Sequence, residues 1–287
     1  MMAAPILSPD RMRVFFDGIW SAPRLSHPEG VAIGPDGWIW CGNQDGDICR
    51  IAPDGGRIER VASTGGFILG LAFDGGRALY ACDLKHAAVF RLDLASGKLQ
   101  RLEAPGLRIP NYPVVDGRRG RLLVSDSHDP GRPGPGIWSF DLSGGAGRLW
   151  CDADFTFANG LAMRPQLDAL YVCETFAQRV SRIVIEPDGS PGAIDPFVTD
   201  LPGYPDGLAF DEAGNMLISL YEPSRVLRIG FDGSMRVLAE DPTAHVLCHP
   251  TNIAFDGTRL FAANLGRWHI AAIDCDIGAA PLWKATA

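Results

Sequence analysis

The chain has 287 residues, 46% hydrophobic and 21% charged, with a formal net charge of −8. That balance excludes a largely disordered chain, and an acidic surface without any Lys/Arg run excludes a phosphate-backbone partner. No stretch approaches the ~20 apolar residues that span a bilayer, and the N-terminus has no basic start followed by an apolar run, so a cytoplasmic chain with no membrane partner is expected.

In chain order, the first strand signal is Met12-Arg13-Val14-Phe15-Phe16, which precedes any repeat and is expected to supply an outer strand that closes the last unit. From there one phrase recurs six times: a ring position, a small residue, an apolar triplet, a turn, then a second apolar run. Its copies begin at Glu29, Leu69, Asn111, Asn159, Asp206 and Thr251, at spacings of 40, 42, 48, 47 and 45 residues. After the first run comes a turn such as Pro35-Asp36-Gly37 or Asp211-Glu212-Ala213-Gly214, then a second run such as Trp38-Ile39-Trp40, and then an alternating third such as Ala88-Val89-Phe90-Arg91-Leu92. Short runs, often β-branched or aromatic and punctuated by Gly and Pro, are strands and not helices. Four strands per unit and six units predict an all-β, six-bladed β-propeller with a central channel, residues 1–287 forming one domain. Asp129 to Gly136, rich in Pro and Gly, is expected to be a surface loop between the second and third strands of the third blade. The seven cysteines, an odd number without a CxxC pair, are expected to be reduced core thiols.

The first strand of a blade lies innermost, so equivalent positions of the six copies ring the channel. That position holds Glu29, Leu69, Asn111, Asn159, Asp206 and Thr251: two carboxylates, two amides, a hydroxyl and one apolar side chain. Convergent oxygens without His or Cys suit a hard divalent cation, calcium first and then magnesium or manganese; zinc wants softer ligands, although it too could support activity. Two nearby carboxylates would otherwise repel and tend to share a proton. Asn159-Gly160 and Asp206-Gly207 are also favoured turn dipeptides. The strand-joining turn lies further on in each blade, however, which favours the ring.

Asp83, Asp126, Ser127, His128 and Glu174 follow or end second strands and are expected at the same mouth as candidate substrate contacts. Ser127-His128-Asp129 has the letters of a hydrolase triad, but consecutive residues of an extended chain point in different directions and cannot form a proton relay. His245 and His249 have helical ligand spacing, yet their segment leads into the last blade and is expected to be a loop, with His249 near the channel opening as a proton shuttle or substrate contact. Trp268-His269 is expected to be packing.

His27-Pro28-Glu29-Gly30, Phe157-Ala158-Asn159-Gly160-Leu161-Ala162 and Tyr204-Pro205-Asp206-Gly207 resemble the glutamate, asparagine and aspartate motifs of the gluconolactonase/SMP-30/regucalcin family. More distantly the chain is similar to diisopropyl-fluorophosphatase-like enzymes. The resemblance runs along nearly the whole chain and implies Glu29, Asn159 and Asp206 as metal ligands. Pro110-Asn111 resembles the family's additional channel asparagine, which implies metal ligation or substrate contact for Asn111. Sugar-lactonase members often carry arginine two residues before that asparagine; here Ile109 occupies the position, with Arg108 adjacent.

The expected function is metal-dependent hydrolysis of a small lactone, with the metal polarising the carbonyl and Asp206 accepting the proton of the attacking water. Phosphoester or organophosphate hydrolysis at the same metal is one alternative. A non-catalytic calcium-binding propeller is the other. The expected partner is a small-molecule substrate, and the expected assembly a monomer or weak oligomer.

Overall fold

The computed structural model describes residues 4–280. A single strand, β1 (Met12–Asp17), precedes the first blade, β2 (Val31–Ile33), β3 (Ile39–Gly42), β4 (Asp47–Ile51) and β5 (Ile58–Ser63). The second blade comprises β6 (Ile68–Phe73), β7 (Ala78–Asp83), β8 (Ala88–Asp93) and β9 (Leu99–Leu102), and the third β10 (Pro110–Asp116), β11 (Arg121–Asp126), β12 (Gly134–Asp141) and β13 (Arg148–Phe155). The fourth comprises β14 (Ala158–Met163), β15 (Ala169–Glu174), β16 (Arg179–Ile185) and β17 (Pro191–Val198), and the fifth β18 (Pro205–Phe210), β19 (Met216–Leu220), β20 (Arg225–Ile229) and β21 (Met235–Glu240). The sixth is built from β22 (Pro250–Asp256), β23 (Arg259–Asn264) and β24 (His269–Asp274).

Each of the first five blades is an antiparallel sheet in chain order. The sixth has the order β1-β24-β23-β22, so the N-terminal strand supplies its outer edge and closes the ring, as its sequence position predicts. Neighbouring inner strands touch all the way round, β2 meeting both β6 and β22. Closure leaves each sheet only short outer edges. No helix among the described residues is long and apolar enough to cross a membrane.

Between blades the inward faces of adjacent sheets interdigitate as separate apolar clusters. One such cluster packs Tyr171, Cys173 and Val180 of blade four against Leu208, Met216 and Ile218 of blade five. All seven cysteines are free and buried, and burial raises the Cys41, Cys82 and Cys173 thiols well above their ordinary value. The expected loop from Asp129 to Gly136 is shorter than predicted, because Gly134 and Gly136 belong to β12. Their missing side chains make room for the rings of His128 and Phe155, which a Cβ at either position would strike.

The inner strands divide the channel along its length. The ring positions stand at their beginnings, Glu29 just ahead of β2 and the others second in their strands, whereas residues further along, among them Val31, Leu71, Val114, Leu161, Leu208 and Ile253, line an apolar cavity of about 270 Å³ toward the other end.

Candidate metal centre

The ring residues do not sit in regular ladders. In blades two to six, pairing between the first and second strands slips at the ring position: between Ile68 and Leu71, Pro110 and Pro113, Ala158 and Leu161, Pro205 and Leu208, and Pro250 and Ile253. A β-bulge re-aims the side chains it carries, and the repeated slip treats the ring residues of these five blades alike. The glycine after the ring residue explains itself in the same geometry. A Cβ on Gly160 would collide with the Asp206 carbonyl, and one on Gly207 would lie 2.7 Å from that of Thr251. Asn159-Gly160 and Asp206-Gly207 are therefore sites of close approach between blades, and the turn reading of both dipeptides falls.

Asn159 and Asp206 meet at the junction of blades four and five. Asn159 Nδ2 donates to Asp206 Oδ2 at 3.2 Å and to Thr175 Oγ1 at 3.1 Å, while the Thr175 hydroxyl donates to the Pro205 carbonyl at 2.8 Å. With the amide nitrogen so placed, Asn159 Oδ1 and Asp206 Oδ1 are buried without a protein donor. The third blade repeats the device: Asn111 Nδ2 donates to Ser127 Oγ at 3.0 Å, and Ser127 donates to the Ala158 carbonyl at 2.7 Å. Ser127 and Thr175 both stand sixteen residues after the asparagine they hold. Thr175 was not singled out from sequence, although that equal spacing was a signal for it.

Glu29 completes the acidic side. Burial raises its carboxyl well above the ordinary value, and the Asp206 charge raises it further. Burial pushes Asp206 up to about 7, against a lowering hydrogen bond from Asn159. Each shift says that the ion-free site holds negative charge poorly. Tyr221, one residue past β19, belongs to the same neighbourhood: burial raises its phenol, followed by the charges of Glu29 and Asp206. Sequence reasoning missed it, because a tyrosine after an apolar strand resembles ordinary core.

The ring hydroxyl expected at Thr251 is otherwise engaged. It donates to the Glu29 carbonyl at 2.7 Å, as Asn252 Nδ2 does at 2.9 Å, tying blade six to blade one. Among the described residues no group of three or more His, Cys, Asp or Glu side chains gathers. A cation here would therefore need amide oxygen beside the two carboxylates. The orphaned Asn159 Oδ1 and Asp206 Oδ1, next to the Glu29 carboxyl, match that requirement and the hard-oxygen chemistry of calcium.

Three residues expected to face substrate are buried and engaged by protein partners instead. Asp126 is 1% exposed and accepts from the backbone of Arg108, Ile109 and His128 and from Trp138 Nε1. Glu174 is fully buried among Thr156 N, Arg179 and the Ser181 hydroxyl, and Ser127 is likewise buried in the bonds described above. Asp83 has the same form, accepting from Thr64, Phe67 N and His86. These acids at the ends of second strands pin the chain that leads into the inner strand of their own blade, so their oxygens are saturated by backbone and side-chain donors.

His128 and His249 remain at the mouth end. His128 Nε2 is 3.3 Å from Arg108 Nη1. His249 stacks on Tyr221, with ring centroids 4.6 Å apart, and its Nδ1 lies 3.2 Å from the Tyr221 carbonyl and 3.3 Å from Glu222. His245 and His249 lie in a loop, as expected, while His269 is buried against the Val246 carbonyl at 2.7 Å.

A closed six-bladed propeller whose channel ring combines two carboxylates with two buried amides defines the class of this protein. The sequence model of the SMP-30/Gluconolactonase/LRE-like region matches residues 70–263, and the chain belongs to that family. A strictosidine synthase-like N-terminal model matches residues 20–51. Among curated relatives, a 6-deoxy-6-sulfogluconolactonase of Pseudomonas putida is 28% identical over 228 residues, 64% of this chain and 77% of that one. Protein strictosidine synthase-like 4 of Arabidopsis thaliana is 34% identical over 90 residues, 31% of this chain but only 23% of its own length. A solved gluconolactonase from Xanthomonas campestris shares the fold at TM-score 0.73 and 22% identity, covering 93% of this chain and 89% of that one. A calcium-binding regucalcin from Agrobacterium tumefaciens does so at TM-score 0.71 and 18% identity, covering 90% and 92%.

Proposed function

We propose that this protein is a calcium-dependent lactonase whose site is Glu29, Asn111, Asn159 and Asp206. The observation that carries the reading is the pair of buried, donor-less oxygens, Asn159 Oδ1 and Asp206 Oδ1, beside the Glu29 carboxyl. Family membership and the lactone-opening relatives support the reaction class. A bound divalent cation supplies Lewis-acid polarisation of the lactone carbonyl and offsets the charge that develops on its oxygen.

The chain's own residues do the rest. Glu29, Asn159 and Asp206 would hold the cation, and Asn111 would either join them or orient the substrate. Asp206 takes the proton of the attacking water at Oδ2, the oxygen that the Asn159 amide orients at 3.2 Å. Water forms its bond to the carbonyl carbon, the ring C–O bond breaks, and Asp206 returns the proton to the leaving ring oxygen. His249, stacked on Tyr221 beside the acidic pair, lines the approach.

The test is proton release from a panel of γ- and δ-lactones by chelator-treated protein, before and after calcium is restored. Calcium-restored turnover that is absent in Asp206→Ala is expected. Tight calcium binding with no lactone turnover would overturn the catalytic reading and leave a calcium-binding propeller, whereas turnover of an aryl phosphotriester instead would assign the same site to phosphoester chemistry.

A further inference from the structure

The residue two positions before each ring residue leads the chain into the channel, and around the ring these are His27, Phe67, Ile109, Phe157, Tyr204 and His249. Four successive blades, two to five, thus contribute an apolar or aromatic residue, while blades six and one contribute imidazoles. Both imidazoles are already engaged at Nδ1, His27 with Gln44 and His249 with Tyr221 and Glu222.

The apolar side is densest directly beside Asn159 and Asp206. Phe157 precedes Asn159 by two residues and has φ of 62°, a left-handed conformation uncommon for a bulky side chain. Its ring lies 4.8 Å from that of Phe176, which in turn is 6.2 Å from Tyr204, two residues before Asp206. Phe176 follows Thr175, the hydroxyl that holds the Asn159 amide. Despite their size, Phe176 is 49% exposed and Tyr204 is 41% exposed. Grouped aromatic surface left open beside a polar centre marks a place where apolar ligand surface is covered.

We infer that Phe157, Phe176 and Tyr204 form a seat for an apolar substituent of the substrate, so that the lactone this protein opens carries an aryl or alkyl group in preference to a set of hydroxyls. The inference rests on the lactonase reading above and goes further by assigning the substrate class. Apolar contact of this kind, remote from the bond that breaks, is made equally in ground and transition states and appears mainly in KM.

The experiment compares γ-phenyl-γ-butyrolactone, unsubstituted γ-butyrolactone and D-glucono-δ-lactone on the calcium-loaded full chain, for wild type, Phe176→Ala and Tyr204→Ala. Both substituted side chains are partly exposed, and turnover of unsubstituted γ-butyrolactone reports that each variant is folded. Expected are a wild-type preference for the phenyl lactone and a rise of about tenfold in its KM in Phe176→Ala, the size of effect that an apolar contact exerts on specificity. The two control lactones should change little. A wild-type preference for the gluconolactone, or equal losses on all three lactones in Phe176→Ala, would overturn the apolar seat and leave the lactonase reading intact. No turnover of any lactone by wild type would instead overturn the lactonase reading, and the seat with it.

Discussion

Asn159 Nδ2 lies 3.2 Å from Asp206 Oδ2, and this bond between neighbouring blades orients both residues. The amide nitrogen is held by a carboxylate on one side and a threonine on the other, so each residue is left with an Oδ1 that is buried and without a donor. Orphaned buried acceptors carry a desolvation cost of about 1–3 kcal/mol each, more when charged. A cation removes that cost in a way that a protein donor does not, because it also relieves the repulsion between Glu29 and Asp206.

Calcium stabilisation should therefore depend on pH. Burial raises Asp206 to about 7 in the ion-free fold, against 3.8 ordinarily, and Glu29 shifts in the same direction. Between those values the folded state holds protons that the unfolded chain has released, so ion-free stability falls as pH rises from about 4 to about 7. On the proposed function calcium would displace those protons, and the gain in Tm on adding it should be larger at pH 8 than at pH 5. Thermal melts in chelator and in calcium at the two pH values check this, and equal gains would contradict it.

Thr175→Val removes the hydroxyl that fixes the Asn159 amide while keeping the shape of the side chain. Calcium affinity should fall by about tenfold, the usual cost of losing a group that orients a metal ligand. Ser127→Ala is the matching change at Asn111. Calorimetric titration should show a similar loss there if Asn111 ligates calcium. If Asn111 contacts substrate instead, affinity should hold and KM should rise.

Asp126→Ala should behave as a stability variant. The carboxylate accepts three backbone N–H groups and the Trp138 indole from within the protein. Removing it leaves buried donors unpaired at a cost of about 3 kcal/mol. Urea unfolding should register that loss, and a normal midpoint with a raised KM would restore Asp126 as a substrate contact.

The lower rim of blades three and four is locked by an ion pair remote from the site. Asp116 is fully buried and accepts from Arg121 Nε at 2.9 Å and Arg119 Nη1 at 3.2 Å. Arg121 also donates to the Gly189 carbonyl at 2.8 Å and lies 5.0 Å from the Trp150 ring. Asp116→Ala strands the buried guanidinium and should cost about 3–5 kcal/mol. The double change Asp116→Asn with Arg121→Met should recover part of that loss, measured in the same unfolding assay.

The sequence by itself determined the architecture and the identity of the ring. Six copies of one phrase specify six blades, and the unmatched run Met12 to Phe16 specifies the closing strand, because turn chemistry and alternation are local signals repeated at a fixed period. The same register places Asn111, Asn159 and Asp206 at the start of inner strands and Glu29 two residues ahead of one. Only the tertiary structure decided which polar atoms are free. Asp126, Glu174 and Ser127 stand at positions as promising as any in the repeat, yet their oxygens are saturated by partners from the lead-in chain, their own blade or the next blade. Thr251 is held by Glu29 across the ring closure, while Asn159 and Asp206 each keep one oxygen open. Hydrogen-bond saturation depends on partners at separations as different as 5 residues at Glu174 and 222 at Thr251, and Thr175, Tyr221 and the Phe157–Phe176–Tyr204 cluster likewise acquire their places only when blades pack side by side.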